Sequence, residues 1–370
     1  MRRAIAQDRL RGCASGTVSA GHWPFDAREA AAVRTGSNLF EDIMAGLAAA
    51  PLSMLGHAAR HAPWLLIGGL ILGIASPELA RLLKPWIAEM IAAMLFLAAF
   101  RVGPRQLVGA GRDLRHSLSA VLTLQLALPV IVAVVLNAMG IDGALAMALL
   151  LMTAAAPISG SPNLAIIMGG DPAPSLRLLS VATAILPLTV IPVFWLSPAL
   201  GSPGEILAAA GKLLAVIAAS VAAAVVLRRL VMPDPRVEQI KAIDGLSAIV
   251  MAAVVVGLMS AVGDAVFERP ALLVFNLAVA FAANLALQVA ALLTSGRFLS
   301  AEGSVSVAIA AGNRNIALFL TALPAAITDP LLLFIGCYQI PMYLTPMMLG
   351  RLYRRRIAHG RQPTEAGAAE

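Results

Sequence analysis

Apolar stretches close to the ~20 residues that cross a hydrocarbon core recur along the chain. They fall near 63–79, 84–101, 116–139, 143–168, 175–198, 205–227, 242–264, 271–295, 304–324 and 329–350. Ten α-helical spans are predicted, because in lipid a helix satisfies every backbone N–H and C=O within its own segment. Turn chemistry punctuates the links: Gly140, GGDPAP (169–174), SPALGSPGE (197–205), MPDPR (232–236) and TDP (328–330). Ahead of the first span, residues 39–60 have the make-up of a short interfacial amphipathic helix. Residues 1–36 hold no apolar core of the secretory-leader kind, and read as a cytoplasmic tail.

Composition agrees with this pattern. The 370 residues are 59% hydrophobic and 13% charged, with a mean hydropathy of +0.85; soluble domains average about 45–50% and about 25%. A net charge of +7 raises nucleic acid as a partner, but the cations sit in short links between apolar runs and aromatics are only 5%. Membrane topology accounts for them instead. Links on the N-terminal side carry 15 Lys/Arg, and those on the opposite side carry four (Arg81, Lys84, Lys212 and Arg269). This bias puts both termini in the cytoplasm of a cell with the chain in its inner or plasma membrane.

Ten spans divide into two groups of five. An odd number per group inserts the second half upside down, the condition for an inverted-topology repeat. Residues 61–200 form the first repeat and 201–350 the second, flanked by a tail at 1–60 and a basic tail at 351–370. Asn-apolar-Ala occurs in the fourth span of each half, at SPNLAI (161–166) and NRNIAL (313–318).

Polar residues inside spans carry the candidate chemistry. Span 4 holds Pro157, Gly160 and Pro162, so an unbroken helix is not expected there. Ser159, Ser161 and Asn163 at that point either face a ligand or bond back to local carbonyls. In span 9, Arg314 sits between Asn313 and Asn315. A mid-membrane Arg costs about 2.5–3.5 kcal/mol on insertion scales, so it should point inward, to carbonyls, to a bound anion, or to a carboxylate such as Glu89 or Asp244. Gln125, Asn276, Asn284, Gln288 and Gln339 add polar faces that serve equally as interhelical hydrogen bonds. Cys13 and Cys337 lie far apart, every histidine falls outside a span or at its edge, and no GxSxG, HExxH or P-loop occurs. Neither an enzyme nor an ATP-driven pump is expected, and no cofactor.

Four stretches resemble the bile acid:sodium symporter family over roughly 63–355. They are AAMLFLAAFRVGPRQL (92–107), LTLQLALPV (122–130), APISGSPNLAIIMGGDPAPS (156–175) and AAGNRNIAL (310–318). The resemblance implies two inverted five-span repeats whose fourth and ninth spans are broken and cross near the membrane centre. Polar residues at that crossing would bind sodium beside a substrate cavity that opens to alternate sides. Asn163 and Asn315 match the motif asparagines, Ser175 a sodium-ligating serine, and Gln125 the third-span glutamine, with one residue less before Pro129. The chain departs at the ion site: Ala310 stands for the ligating carboxylate, Arg314 for a glutamine, Leu179 for a threonine and Pro162 for a serine. A guanidinium there could neutralise the carbonyl dipoles permanently.

The expected protein is an all-α, ten-helix secondary transporter or facilitator for a small organic anion, embedded in lipid, with sodium coupling disfavoured. Two alternatives stay open: a membrane sensor that binds without transporting, and a sodium-dependent symporter with an altered ion site.

Overall fold

The computed structural model describes residues 52–102, 114–197 and 202–360. Residues 1–51 of the expected 1–60 tail, the link at 103–113, residues 198–201 of the link at 197–205 and residues 361–370 lie outside the described residues, as does the start of the interfacial segment.

Among the described residues the chain is helical throughout, without a named strand. Helices α1 (Leu52–Arg60) and α2 (Ala62–Ala75) meet at a 78° bend. Helix α3 (Pro77–Leu83) continues through a 3-10 turn into α4 (Ile87–Val102). Helices α5 (Leu114–Leu122) and α6 (Leu128–Ala138) are joined by a π-helical turn at Thr123–Ala127. Pro129 has no N–H for the carbonyl of Gln125 and its ring would crowd it, so the wider π turn absorbs the mismatch. Then come α7 (Gly143–Ala154), α8 (Ser161–Ile167), α9 (Pro172–Trp195) and α10 (Pro203–Val231). Helices α11 (Val237–Leu258), α12 (Ser260–Glu268) and α13 (Pro270–Ser295) follow. The chain continues in α14 (Ala301–Gly312), a 3-10 turn at Ile316–Thr321, α15 (Ala325–Thr328), α16 (Leu332–Met348) and α17 (Gly350–Gly360).

Local chemistry sets several starts. Asp171 accepts from the Ala173 N–H at the head of α9 (3.0 Å). Ser202 and Glu205 form a capping box on α10, and the Ser300 hydroxyl accepts from Gly303 on α14 (3.0 Å). Proline enters both α9 and α16 as a pair five residues apart, Pro187 with Pro192 and Pro341 with Pro346.

Among the described residues, seven helical segments, some of them joining consecutive helices, are long and apolar enough to cross a membrane, or eight if α1 and α2 form one bent span. Large apolar side chains such as Leu230, Phe267, Val134 and Leu188 point outward. These features fit a multi-pass integral membrane protein. Two of the ten expected spans, near 143–168 and 304–324, do not meet that test, because each is broken into two short pieces. Both are buried in their central parts. All of Gly303–Gly312 is buried, and so is Leu150 to Ile158. Small side chains in α14 (Ala, Gly, Ser, Val) allow that close approach. Ion pairs tie helices together near their ends, as in Arg81–Asp264 (2.8 Å) and Lys84–Asp329 (3.0 Å).

Candidate functional site

The two breaks meet. Pro157 and Arg314 face each other in an antiparallel bridge: the Ile158 N–H donates to Asn313 O (2.9 Å) and the Asn315 N–H to Ala156 O (2.8 Å). Two interrupted helices thus satisfy each other's freed backbone groups without water.

The causes of the breaks differ. Pro157 cannot donate, and Pro162 starts α8. The second break has no proline. It depends on Gly312, where a Cβ would lie 2.2 Å from Gln288 Cγ and 3.0 Å from the Asn284 backbone oxygen. Only glycine lets α13 pass this close.

Each broken helix leaves carbonyls at its C-terminal end, and polar side chains fill that need. Arg314 is 1% exposed. Its Nε donates to Ala311 O (2.7 Å) at the end of α14, and its Nη1 to Ala155 O (2.9 Å) at the end of α7. One guanidinium therefore bridges two negative helix ends. Its Nη2 is buried without a partner, as is Asn313 Nδ2. The Gly312 carbonyl accepts from Asn284 Nδ2 (2.7 Å) and from the Tyr338 hydroxyl. Asn284 Nδ2 also reaches Asn313 Oδ1 (3.2 Å). From there a buried network runs outward: Gln288 donates to Asn284 and Thr345, Thr345 donates to the Pro341 carbonyl (2.6 Å), and the Tyr353 hydroxyl donates to Gln288 Oε1. Burial pushes the Tyr353 phenol above its ordinary range, so it stays a donor.

Beside the crossing lies a cavity of about 620 Å³. Helices α4, α9, α10, α11 and α16 wall it, mainly with Ile, Leu, Met and Val. Its polar groups are Ser159, Ser180, Thr183, Asn315, Gln339 and the border of Arg314. Most of the guanidinium is packed behind that border, as its burial requires. The volume and the few converging polar groups are typical of a small-molecule site.

Neither a protein-family model nor a curated protein matches the chain.

The residues singled out from the sequence divide into three groups. Ser159, Arg314, Asn315 and Leu179 line the cavity, and Asn313 and Ala310 are buried beside them. Ser161, Ser175 and Gln125 are fully buried but outside the lining. Ser161 bonds back to Ile158 O (2.7 Å), and Gln125 donates to Ala182 O (3.3 Å). Ser175 Oγ has no hydrogen-bond partner. Asn163 stands apart. It is exposed on α8, because the buried positions Ser161 and Ala165 lie one turn apart and Asn163, midway between them, projects from the other side. Neither carboxylate expected near Arg314 reaches it: Asp244 pairs with Arg101, and Glu89 is exposed.

Sequence reasoning missed Tyr338, Thr345 and Tyr353, and gave Asn284 and Gln288 little weight. A polar residue near a break is visible in a sequence, but its partner on another helix is not. The i, i+4 pair Asn284 and Gln288 was the available signal.

Sodium does not fit the crossing. The helix-end carbonyls that would ligate a cation already accept from the guanidinium, and the side chains bonded there are amides and hydroxyls, with no carboxylate. A sodium ion about 4 Å from Arg314 would meet roughly 4 kcal/mol of repulsion at an effective dielectric of about 20.

Proposed function

We propose that the chain is a secondary transporter or facilitator that moves a small organic anion across the membrane by alternating access, without sodium coupling. The observation that carries this reading is the cavity beside two crossed, interrupted helices, with a buried guanidinium at its polar edge. Discontinuous helices crossing beside a midplane site are a recurrent device of secondary transporters. Among the described residues the Arg314 charge has no carboxylate partner, and its Nη2 is left unbonded, so an anion entering the cavity would gain from it. Ser159 and Asn315 would add hydrogen bonds from the two strands of the crossing.

On this reading 143–167 and 301–321 are the fourth and ninth of ten spans, and 61–200 and 201–350 are inverted repeats. The matched proline pairs of α9 and α16, each directly after a broken segment, support that symmetry.

Uptake of a panel of organic anions into proteoliposomes tests the proposal. Wild-type protein should move at least one anion at the same rate in sodium and in choline buffer. Arg314→Gln should lower that rate at least tenfold, the scale of one lost charge-assisted hydrogen bond. Unchanged uptake in the variant removes Arg314 from substrate handling, and sodium-dependent uptake by the wild type overturns the uncoupled reading.

A further inference from the structure

We infer that the outward face of α17 is a docking surface for anionic phospholipid headgroups. One residue, Leu349, separates this helix from the end of α16, which belongs to a membrane-length apolar segment, Ala325–Met348. Whichever side of the membrane that end occupies, α17 starts at the level of the headgroups.

Its two faces differ sharply. Gly350, Tyr353 and Ile357 are buried, one turn apart on one side. Arg351, Arg354 and Arg355 are exposed, and among the described residues none of their guanidinium groups has an ion-pair or hydrogen-bond partner. Asp171, the carboxylate following α8 at this end, is engaged in capping α9. The fourth arginine, Arg356, donates to Gly296 O (3.1 Å), which fastens the helix to the turn after α13. That turn adds exposed Arg297 and Phe298, the latter 85% exposed. Leu352 and Met348 are also exposed, at 41% and 57%.

This mixture selects the occupant. An acidic protein segment or a free anion would answer the guanidinium groups but leave Leu352, Met348 and Phe298 wet. An anionic lipid answers both, with its headgroup on the arginines and its acyl chains against the apolar side chains. On its inner side α17 reaches the crossing: Tyr353 donates to Gln288, Gln288 to Asn284, and Asn284 to the carbonyl of Gly312. A lipid that holds α17 in place also holds the end of that chain.

The test is thermal unfolding of the purified full chain in neutral detergent, with phosphatidylglycerol or phosphatidylcholine titrated in. Phosphatidylglycerol should raise the unfolding temperature of the wild type well beyond phosphatidylcholine, and added salt should shrink the difference. The triple variant Arg351→Gln/Arg354→Gln/Arg355→Gln should need roughly 100-fold more phosphatidylglycerol for the same shift, at about fivefold per guanidinium. The corresponding triple lysine variant should respond like the wild type. An unaltered response in the glutamine variant overturns the proposal. So does a wild-type shift reproduced by millimolar inorganic phosphate, which would assign the face to a free anion rather than to lipid.

Discussion

Arg314 spends two of its guanidinium nitrogens on carbonyls that belong to different helices, Ala311 of α14 and Ala155 at the end of α7. That geometry needs a planar fork, which lysine lacks. Arg314→Lys should keep the charge but leave one buried carbonyl without its donor, a loss of about 1–3 kcal/mol, read by reversible unfolding in mixed micelles. Stability equal to the wild type would show that the bridge does not need both donors. The sequence makes Arg314 visible because a cation amid Ala, Val and Ile has no other reason to be there. Its neighbours were harder to read. Asp244 and Glu89 looked available as partners only because their own surroundings lie on other helices: Asp244 is held by Arg101. Asn163 looked equivalent to Asn315 through a shared Asn-apolar-Ala triplet, yet one projects outward from a short helix and the other lines the cavity. A triplet specifies residue types; the phase of the helix decides where they point.

At the scale of elements, the first break was legible from Pro157 and Pro162, while the second rests on a glycine whose role appears only when α13 is packed against it. A methyl group at Gly312 would collide with Gln288 Cγ at 2.2 Å, and Gln288 cannot swing away without releasing Asn284, Thr345 and Tyr353. Gly312→Ala should therefore destabilise the fold by about 1–3 kcal/mol, the usual cost of overpacking. It should also speed hydrogen exchange at the Ile158 and Asn315 amides, which close the crossing. Exchange unchanged at those two amides would mean that α13 and α14 part without disturbing the bridge. The apolar period predicted the long helices well, since a membrane span needs little beyond length and hydropathy. It could not predict the 78° bend between α1 and α2 or the π turn before Pro129, because neither changes the apolar period.

For the whole molecule, the open quantity is how many times the chain crosses the membrane. By length, α7 and α8 supply about 18 Å and about 10 Å of helix at 1.5 Å per residue. With the extended break between them, the segment can span a hydrocarbon core about 30 Å thick, although neither piece does so alone. If it crosses, Asp142 before α7 and Ala173 after α8 lie on opposite sides; if it dips in and returns, they share a side. Both positions are exposed, so each tolerates a cysteine in a background where Cys13 and Cys337 are alanine. A membrane-impermeant maleimide applied to sealed right-side-out and inverted vesicles should label Asp142→Cys and Ala173→Cys from opposite faces. Labelling from one face would make 143–167 a re-entrant pair. The two-fold repeat would then fail, because the first half would cross the membrane an even number of times and could not invert the second.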